Sequence, residues 1–340
     1  MKTIAFAARR FSGARRTACR TLVAAAAGLA LHGTAQAQAE FKVGHVGEPG
    51  SIFQKSADEF ARRANAKLGG KLKVVVYGSS QLGGDKELIQ KVKLGTVDMA
   101  VPSTVMTSEV DQFGVFDLPY IVKDRAHMAR IEKDVFWPSI APLAEKKGIK
   151  VLAVWENGSR HITNNKHPIK VPADLKGIKL RVPEGKWRVK MFQEYGANPS
   201  PMKFSELFTA LQTGVMDAQE NPFTQIYSAK LQEVQKYLSL SGHVYTPAYA
   251  IVGLRKFNAL PADVRQVLEQ TAKETQAYVY ETAAKDETEL LTKLKQAGMQ
   301  VNEVDKDAFI AASRPIYDEF ANEVAGAKPL IDKAVALGKQ

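Results

Sequence analysis

The sequence of 340 residues has a single cysteine, Cys19, and it lies within the first 39 residues. The rest of the chain therefore has neither a thiol nor a disulfide, which excludes cysteine nucleophiles and disulfide-stapled domains. It also lacks a G-x-x-x-x-G-K-[ST] phosphate loop and a G-x-S-x-G nucleophile elbow. About 300 residues held together by their hydrophobic core alone suggest two lobes. Since these catalytic motifs are missing, an enzyme is not expected.

Long apolar runs are also missing, apart from residues 22–31 near the N-terminus. Residues 1–39 carry six basic and no acidic residues, and they end in alanines suited to cleavage after about Ala37 or Ala39. This pattern predicts a secretory signal peptide and a periplasmic protein. Ten residues of helix cover only about 15 Å, too little to span the roughly 30 Å of bilayer hydrocarbon. Export by the Sec route and by the twin-arginine route both remain open.

The basic surplus is small once this segment is set aside. The formal charge of +11 falls to +5 without the six basic residues of the signal. No basic run interleaved with aromatics is present, so nucleic-acid binding is not expected. His161 and His167 have no Asp, Glu or Cys between them, which favours surface or hydrogen-bonding roles and predicts neither a metal nor a cofactor.

Strand-like and helix-like segments alternate, which predicts an α/β fold with a mostly parallel sheet flanked by helices. Ser51 is a candidate helix cap, and residues 197–201 are too rich in proline to be more than an edge strand. The predicted strands are 41–46, 71–77, 97–101, 149–155 and 178–182, and the predicted helices 52–68, 86–94 and 202–214.

No glycine or proline interrupts residues 262–297, where apolar residues recur with helical spacing. One continuous helix there would be about 54 Å long and would cross both lobes. Two helices with a break near residues 285–287 are the alternative.

Polar residues at strand ends are the candidate ligands. His45 and Glu48 follow the first strand, in a G-x-x-G-x-x-G spacing that does not fit a dinucleotide turn. They can equally belong to a turn with a surface carboxylate. Arg181 interrupts an apolar alternation, so it faces either solvent or an anion, and the polar strand end before Pro222 could place Asn221 at the sheet edge.

Six motifs resemble, in order and over nearly the whole chain after residue 39, the DctP-type solute-binding proteins of TRAP transporters. They are residues 81–85 (QLGGD), 118–120 (LPY), 177–183 (GIKLRVP), 196–199 (GANP), 204–214 (FSELFTALQTG) and 219–222 (QENP).

The resemblance implies a two-lobed periplasmic binding fold, spanned by a long helix, that captures an organic carboxylate and delivers it to a membrane permease. The family's carboxylate-pairing arginine falls on Arg181, its upstream arginine on Arg160 and its ligand asparagine on Asn221. Sialic-acid binders carry a glutamate where this chain has Ser103, which argues against sialic acid.

The rest of the pocket would decide the substrate. The candidates to line it are His45, Glu48, Ser103, Trp155, Trp187, Phe204 and His243. Hydroxyl-binding residues among them favour a sugar acid such as a uronate or aldonate. The aromatic residues leave an aromatic acid open, and a C4-dicarboxylic acid is a further alternative.

By the resemblance, the first lobe takes residues 40–157 and 247–287, and the second takes 158–246 and 288–340. The two arginines and Asn221 then lie on the second lobe. A periplasmic sensor that closes on its ligand without feeding a permease is the remaining alternative.

Overall fold

The structure, a computed structural model, describes residues 39–339, so the predicted signal peptide lies outside the described residues except for its last position. In this part of the chain, nine strands form one mixed sheet in the order β2-β1-β3-β8-β4-β7-β5-β6, with β9 beside β8. The strands are β1 (Glu40–Gly44), β2 (Lys73–Tyr77), β3 (Met99–Ala100), β4 (Ile149–Asn164), β5 (Lys179–Val182), β6 (Asn198–Pro201), β7 (Ala218–Asn221), β8 (Tyr237–Gly253) and β9 (Gln300–Glu303).

The α-helices of the described residues cover this sheet. They are α1 (Ile52–Leu68), α2 (Asp85–Leu94), α3 (Arg125–Ile131), α4 (Ala141–Lys146), α5 (Lys186–Glu194), α6 (Leu207–Gln212), α7 (Phe223–Ser228), α8 (Leu254–Asn258), α9 (Ala262–Gln296), α10 (Lys306–Ala312), α11 (Arg314–Glu323) and α12 (Ala327–Leu337). A π-helix spans Glu132–Ile140, and 3₁₀ turns span Thr104–Ser108, Asp111–Asp117, Pro172–Leu175, Phe204–Glu206 and Leu231–Glu233.

Two long antiparallel strands, β4 and β8, join the halves of the sheet. At one end β8 pairs with β3, where Met99 lies opposite Val252, and at the other end β4 pairs with β7, where His161 lies opposite Asn221. The pairings within β1–β3 and within β5–β7 are parallel, as predicted. The two long strands pair antiparallel with each other, with β3 and with β7, whereas β9 pairs with β8 in parallel. Both halves of the sheet therefore share β4 and β8.

The prediction that the fourth strand ends at residue 155 is wrong, because β4 runs on to Asn164. Its register with β8 shifts between Glu156 and Gly158, and Gly158 has a φ of 117°. Such a φ favours glycine, so a residue typical of a turn here forms a bulge that lets the strand continue.

The predicted ends of α1 and α9 are confirmed. The Ser51 hydroxyl accepts a hydrogen bond from the Gln54 N–H at 3.2 Å and caps α1. Helix α9 is continuous over 35 residues, starts directly after Pro261 and ends before Gly298, whose φ is 95°. Proline before the first turn and a left-handed glycine after the last are the usual limits of a helix.

The C-terminal helix α12 packs against α3. The His127 Nε2 lies 2.8 Å from the carbonyl oxygen of Ala334, and Arg130 Nε donates to the carbonyl of Leu337 at 2.9 Å. The predicted lobe boundaries put α3 in the first lobe and α12 in the second, and these bonds join them. Within residues 39–339, none of the helices combines the length and apolar character needed to cross a bilayer.

Candidate functional site

A small cleft opens where β1, β3, β5 and β7 end. Because the carboxyl ends of parallel strands meet at one edge of a sheet, this is where α/β proteins place ligands. The long strand β4 passes beneath it. The lining residues are Val46, Phe53, Asp85, Ser103, Thr104, Val105, Asn157, Arg160, Arg181, Pro183, Phe204, Asn221 and Gln225.

Arg181, near the end of β5, is 3% exposed and points a fixed guanidinium into this cleft. Its Nε and Nη2 donate to the carbonyl oxygen of Met202 at 3.0 and 2.6 Å. No carboxylate among residues 39–339 lies within ion-pairing distance of it. Burial, and then the charge of nearby Arg160, lower the pKa of Arg181 to about 10, so the group is still a cation at neutral pH. The cleft therefore holds a buried guanidinium that makes no ion pair with a carboxylate of the described chain.

Arg160, on β4, has its counter-ion within the protein. Its Nε donates to Glu220 Oε2 at 2.5 Å, and its Nη2 donates to Glu220 Oε1 at 2.9 Å and to the Glu220 carbonyl at 2.5 Å. Both residues are almost wholly buried. Arg160 lines the cleft, but its charge is balanced, which distinguishes it from Arg181.

Three other predicted residues, Asn221, Ser103 and Phe204, lie on the same cleft. The Asn221 Nδ2 donates to Gln219 Oε1 at 2.6 Å, and the Ser103 hydroxyl donates to the carbonyl of Pro247 at 2.7 Å. The Phe204 ring centroid lies 5.8 Å from the Arg181 Cζ, within cation–π range. The structure thus brings five predicted residues together.

The two predicted residues after β1 lie elsewhere, and Val46 takes the place on the cleft. His45 is wholly buried against Gly78, and burial lowers its pKa to about 4, so it is neutral at pH 7. The Glu48 carbonyl accepts from the Ser51 N–H at 3.0 Å in the turn before α1. Their positions fit the turn interpretation of this segment.

Trp187 and His243 lie behind the cleft. Trp187 is 2% exposed and packs edge-on against Phe320 with ring centroids 4.7 Å apart. The His243 Nε2 lies 3.1 Å from Glu220 Oε2, so this histidine contacts the counter-ion of Arg160. Trp155 is likewise in the core, where its Nε1 donates to the carbonyl of Ala272 at 3.0 Å.

Sequence reasoning missed several lining residues, above all Asp85 and Gln225. Asp85 Oδ1 and Gln225 Oε1 are buried without a hydrogen-bond partner in the described chain. Burial raises the pKa of Asp85 to about 7, although the charge of Arg181 opposes the rise. Asp85 belongs to the QLGGD motif and Gln225 follows the QENP motif, so the motifs gave their positions without indicating their role. Asn157 connects to Gln225, whose Nε2 donates to Asn157 Oδ1 at 3.3 Å.

A larger groove elsewhere fits an anion less well. It is lined by the carboxylates Glu132, Glu145 and Glu269 against two lysines, Lys150 and Lys273. Lys150 is paired with Glu269 at 2.5 Å. Residues 39–339 contain no cluster of three or more His, Cys, Asp or Glu side chains arranged to hold a metal ion.

The histidines with no predicted ligand role have hydrogen-bonding roles, as expected. The His161 Nδ1 accepts from the Gly242 N–H at 3.2 Å, and its ring stacks on Phe223 at 4.3 Å. The His167 Nδ1 lies 3.2 Å from the carbonyl oxygen of Pro168.

Comparison with known proteins gives consistent matches. Residues 43–323 match the DctP family, described as bacterial extracellular solute-binding protein, family 7. The chain is 35% identical over 283 residues to the 2,3-diketo-L-gulonate-binding periplasmic protein YiaO of Escherichia coli, covering 82% of this chain and 86% of the relative. It is 34% identical over 289 residues to the C4-dicarboxylate-binding periplasmic protein DctP of Rhodobacter capsulatus, covering 83% and 86%.

A solved structure is similar throughout. The sugar acid binding protein DctPAm of Advenella mimigardefordensis, in complex with galactonate, superposes with a TM-score of 0.85 at 31% identity. The match covers 89% of this chain and 98% of that protein.

Proposed function

The chain belongs to the DctP family of bacterial extracellular solute-binding proteins, and from this premise we propose that it captures a sugar acid, such as a uronate or aldonate, in the periplasm. It then delivers the acid to the membrane permease of a TRAP transporter. The observation that carries the proposal is the buried guanidinium of Arg181, which faces the cleft and makes no ion pair with a carboxylate of the described chain.

The carboxylate of the ligand binds Arg181. A carboxylate that leaves water must recover its hydrogen bonds, and a planar guanidinium can meet both of its oxygens. Hydrogen bonds to charged groups contribute about 1.5–3 kcal/mol each. Two from Arg181, with one each from Arg160 and Asn221, are enough for micromolar affinity, about −8 kcal/mol.

The hydroxyl groups of the ligand bind the two unpartnered oxygens, Asp85 Oδ1 and Gln225 Oε1. Gln225 Oε1 can only accept, so it requires a donor, and a hydroxyl supplies one. Asp85, with a pKa of about 7, accepts from a hydroxyl when ionised and donates to one when protonated. A second carboxylate on a C4-dicarboxylic acid has no proton to donate to Gln225 at neutral pH and would be repelled by ionised Asp85. An aromatic acid loses support because Trp155 and Trp187 lie in the core. The sugar acids named for two of the similar proteins agree with this preference.

Capture involves closure of two lobes around the ligand. We retain the division into residues 40–157 with 247–287 and residues 158–246 with 288–340, except that α12 joins the first lobe because it is bonded to α3. Arg160, Arg181 and Asn221 then belong to the second lobe, and Asp85 and Ser103 to the first. The second lobe captures the carboxylate with Arg181 and one hydroxyl with Gln225, and the first lobe closes over the ligand with Asp85. X-ray scattering should show compaction when ligand is added.

The ligand can be identified by thermal unfolding in the presence of uronates, aldonates, C4-dicarboxylates and aromatic keto acids. A ligand at 1 mM with micromolar affinity should stabilise the protein by about 4 kcal/mol, since the gain follows RT ln(1 + [L]/Kd). Stabilisation by uronates or aldonates is expected. Stabilisation by dicarboxylates alone would disprove the substrate class, and no response to any carboxylate would disprove the anion site.

Export and transport need separate tests. Mass spectrometry of the protein from the periplasmic fraction should find an N-terminus near residue 38 or 40. An uptake assay with the permease should show accumulation of the bound acid. Tight binding without accumulation would favour a sensor.

A further inference from the structure

Arg188, on α5, lies behind the cleft and joins two buried carboxylates. It is wholly buried, with its Nη1 donating to Glu220 Oε2 and its Nη2 to Asp117 Oδ1, each at 2.7 Å. Its Nη2 also lies 3.4 Å from the hydroxyl of Thr104, which lines the cleft. Nothing in the sequence reasoning pointed to this residue.

Glu220 is shared between Arg188 and Arg160. Its Oε2 accepts hydrogen bonds from Arg160 Nε at 2.5 Å and Arg188 Nη1 at 2.7 Å, and it lies 3.1 Å from His243 Nε2. Burial alone would raise the pKa of Glu220, but the two guanidinium groups hold it well below its ordinary value. The carboxylate is therefore an anion, and a continuous array leads from Asp117 through Arg188 and Glu220 to Arg160 in the cleft.

We propose that Arg188 is a positioning residue for ligand capture: it holds the Glu220 carboxylate in the orientation that clamps Arg160, and so fixes the N–H groups that Arg160 offers the ligand carboxylate. The inference rests on the proposed function, because it takes Arg160 to be a ligand residue. Arg188 does not itself line the cleft, and it acts on Arg160 through Glu220.

The geometry favours positioning over charge balance alone. Charge balance requires Arg188 at Asp117, but Glu220 already has Arg160 as its counter-ion and a hydrogen bond from His243, so the bond from Arg188 to Glu220 is not needed to neutralise that carboxylate. A guanidinium, however, is planar and reaches two carboxylates in fixed directions, which a lysine cannot do. Arg188 thus sets the direction of Glu220 relative to the segment that carries Asp117.

A double-mutant cycle on Arg188 and Arg160 tests the proposal, with calorimetry of galactonate binding and circular dichroism to confirm folding. Arg188→Lys should weaken binding at least fivefold. In the Arg160→Met background the same substitution should change the affinity less than twofold, because the residue through which it acts is gone. Equal losses in both backgrounds would show that Arg188 acts only through general stability and would overturn the proposal.

Two further variants make the result decisive. Arg125→Lys, which alters an arginine that clamps Glu156 outside the cleft, should leave affinity within twofold. If Arg188→Lys fails to fold, Arg188→Met with Asp117→Asn removes one buried cation and one anion together, a change that proteins tolerate better than loss of one partner. This double variant should still bind at least fivefold more weakly, and unchanged affinity would overturn the proposal.

The outcome is separable from the substrate class. If the wild type binds succinate instead of galactonate, the proposed sugar-acid class fails, and the same cycle measured with succinate still decides the role of Arg188. If the wild type binds no carboxylate, both proposals fail.

Discussion

The Arg181 guanidinium donates twice to one backbone oxygen, that of Met202, from Nε at 3.0 Å and from Nη2 at 2.6 Å. A carbonyl acceptor fixes the direction of the guanidinium without cancelling its charge. A carboxylate in the same place would have fixed it equally well but neutralised it, as Glu220 does for Arg160. The contrast between these two arginines separates the residue that supplies charge from the residue that supplies further hydrogen bonds.

Substitution of Arg181 should therefore affect binding more than any other single change in the cleft. Arg181→Lys should weaken binding more than tenfold, because an ammonium supplies the charge but not the planar fork. Arg181→Ala should abolish binding, since the ligand carboxylate would be buried without a counter-ion. Calorimetry with galactonate measures the affinity of both variants. Near-wild-type affinity in either variant would show that Arg181 does not bind the carboxylate.

Gln225 should contribute to recognition of hydroxyl groups. Its Oε1 is buried without a partner in the described chain, so Gln225→Leu should weaken galactonate binding about fivefold, the value of one hydrogen bond of about 1 kcal/mol. An unhydroxylated monocarboxylate such as hexanoate should not lose affinity. A parallel loss for both ligands would count against a hydroxyl site.

Asp85 makes the stability of the ligand-free protein depend on pH. Its pKa is raised by burial from 3.8 to about 7, so the folded state binds its proton more tightly than the unfolded state. The stabilisation is full below about pH 4 and is lost as the pH rises through about 7. Asp85→Asn cannot ionise, so it should unfold at a higher temperature than the wild type at pH 8, with the difference vanishing near pH 4. A difference that stays constant from pH 4 to pH 8 would show that Asp85 keeps an ordinary pKa.

The fold was predictable where one local signal determines an element. Ser51 gave the start of α1, and the stretch between Pro261 and Gly298 gave α9 as one helix. The full length of β4 was not predicted, and no strand was predicted over β8, because Gly158 and Pro247 resemble turn residues in the sequence. Their role as bulge and strand residues depends on pairing between segments about 90 residues apart, which local patterns do not contain.

The site was predictable through the family motifs and not through residue chemistry alone. Arg160, Arg181 and Asn221 lie together as the motifs implied, whereas His45 was chosen for its position after a strand and is one residue from the cleft. A side chain's direction at a strand end depends on where the strand stops, and β1 stops at Gly44. The buried array behind Arg160 was not visible in the sequence, because Asp117, Arg188 and Glu220 are far apart in it.

The two aromatic residues Trp155 and Phe204 should behave in opposite ways. Trp155→Phe removes the hydrogen bond from Nε1 to the Ala272 carbonyl and leaves a small cavity, so it should lower the free energy of unfolding by about 1–3 kcal/mol. Its affinity for galactonate should be unchanged. Phe204→Ala should weaken binding several-fold, because the ring packs against the Arg181 guanidinium. Denaturant unfolding and calorimetry measure the two quantities. A loss of affinity in Trp155→Phe would show that Trp155 contributes to ligand binding.

Two ion pairs join the start of α2 to residues across the cleft, and α2 supplies the cation in one pair and the anion in the other. Lys86 Nζ lies 3.9 Å from Glu184 Oε1, and Glu87 accepts a hydrogen bond from Lys203. Asp85, which lines the cleft, directly precedes this pair of residues on α2. In the proposed division, α2 belongs to the first lobe and its partners to the second, so the two pairs should hold the closed form together at the mouth of the cleft.

Charge exchange across this mouth should change the rate of ligand release. Exposed ion pairs contribute up to about 1 kcal/mol, so Glu87→Lys, which faces Lys203 with a like charge, should speed galactonate dissociation about fivefold in low salt. Adding Lys203→Glu restores opposite charges and should restore slow release, whereas 0.5 M salt should reduce the difference between all three proteins. Stopped-flow displacement measures the rates. The double variant has the same net charge as the wild type, so only a contact between the lobes predicts that it recovers slow release. If the double variant releases the ligand as fast as Glu87→Lys, the two lobes are not held together at this point.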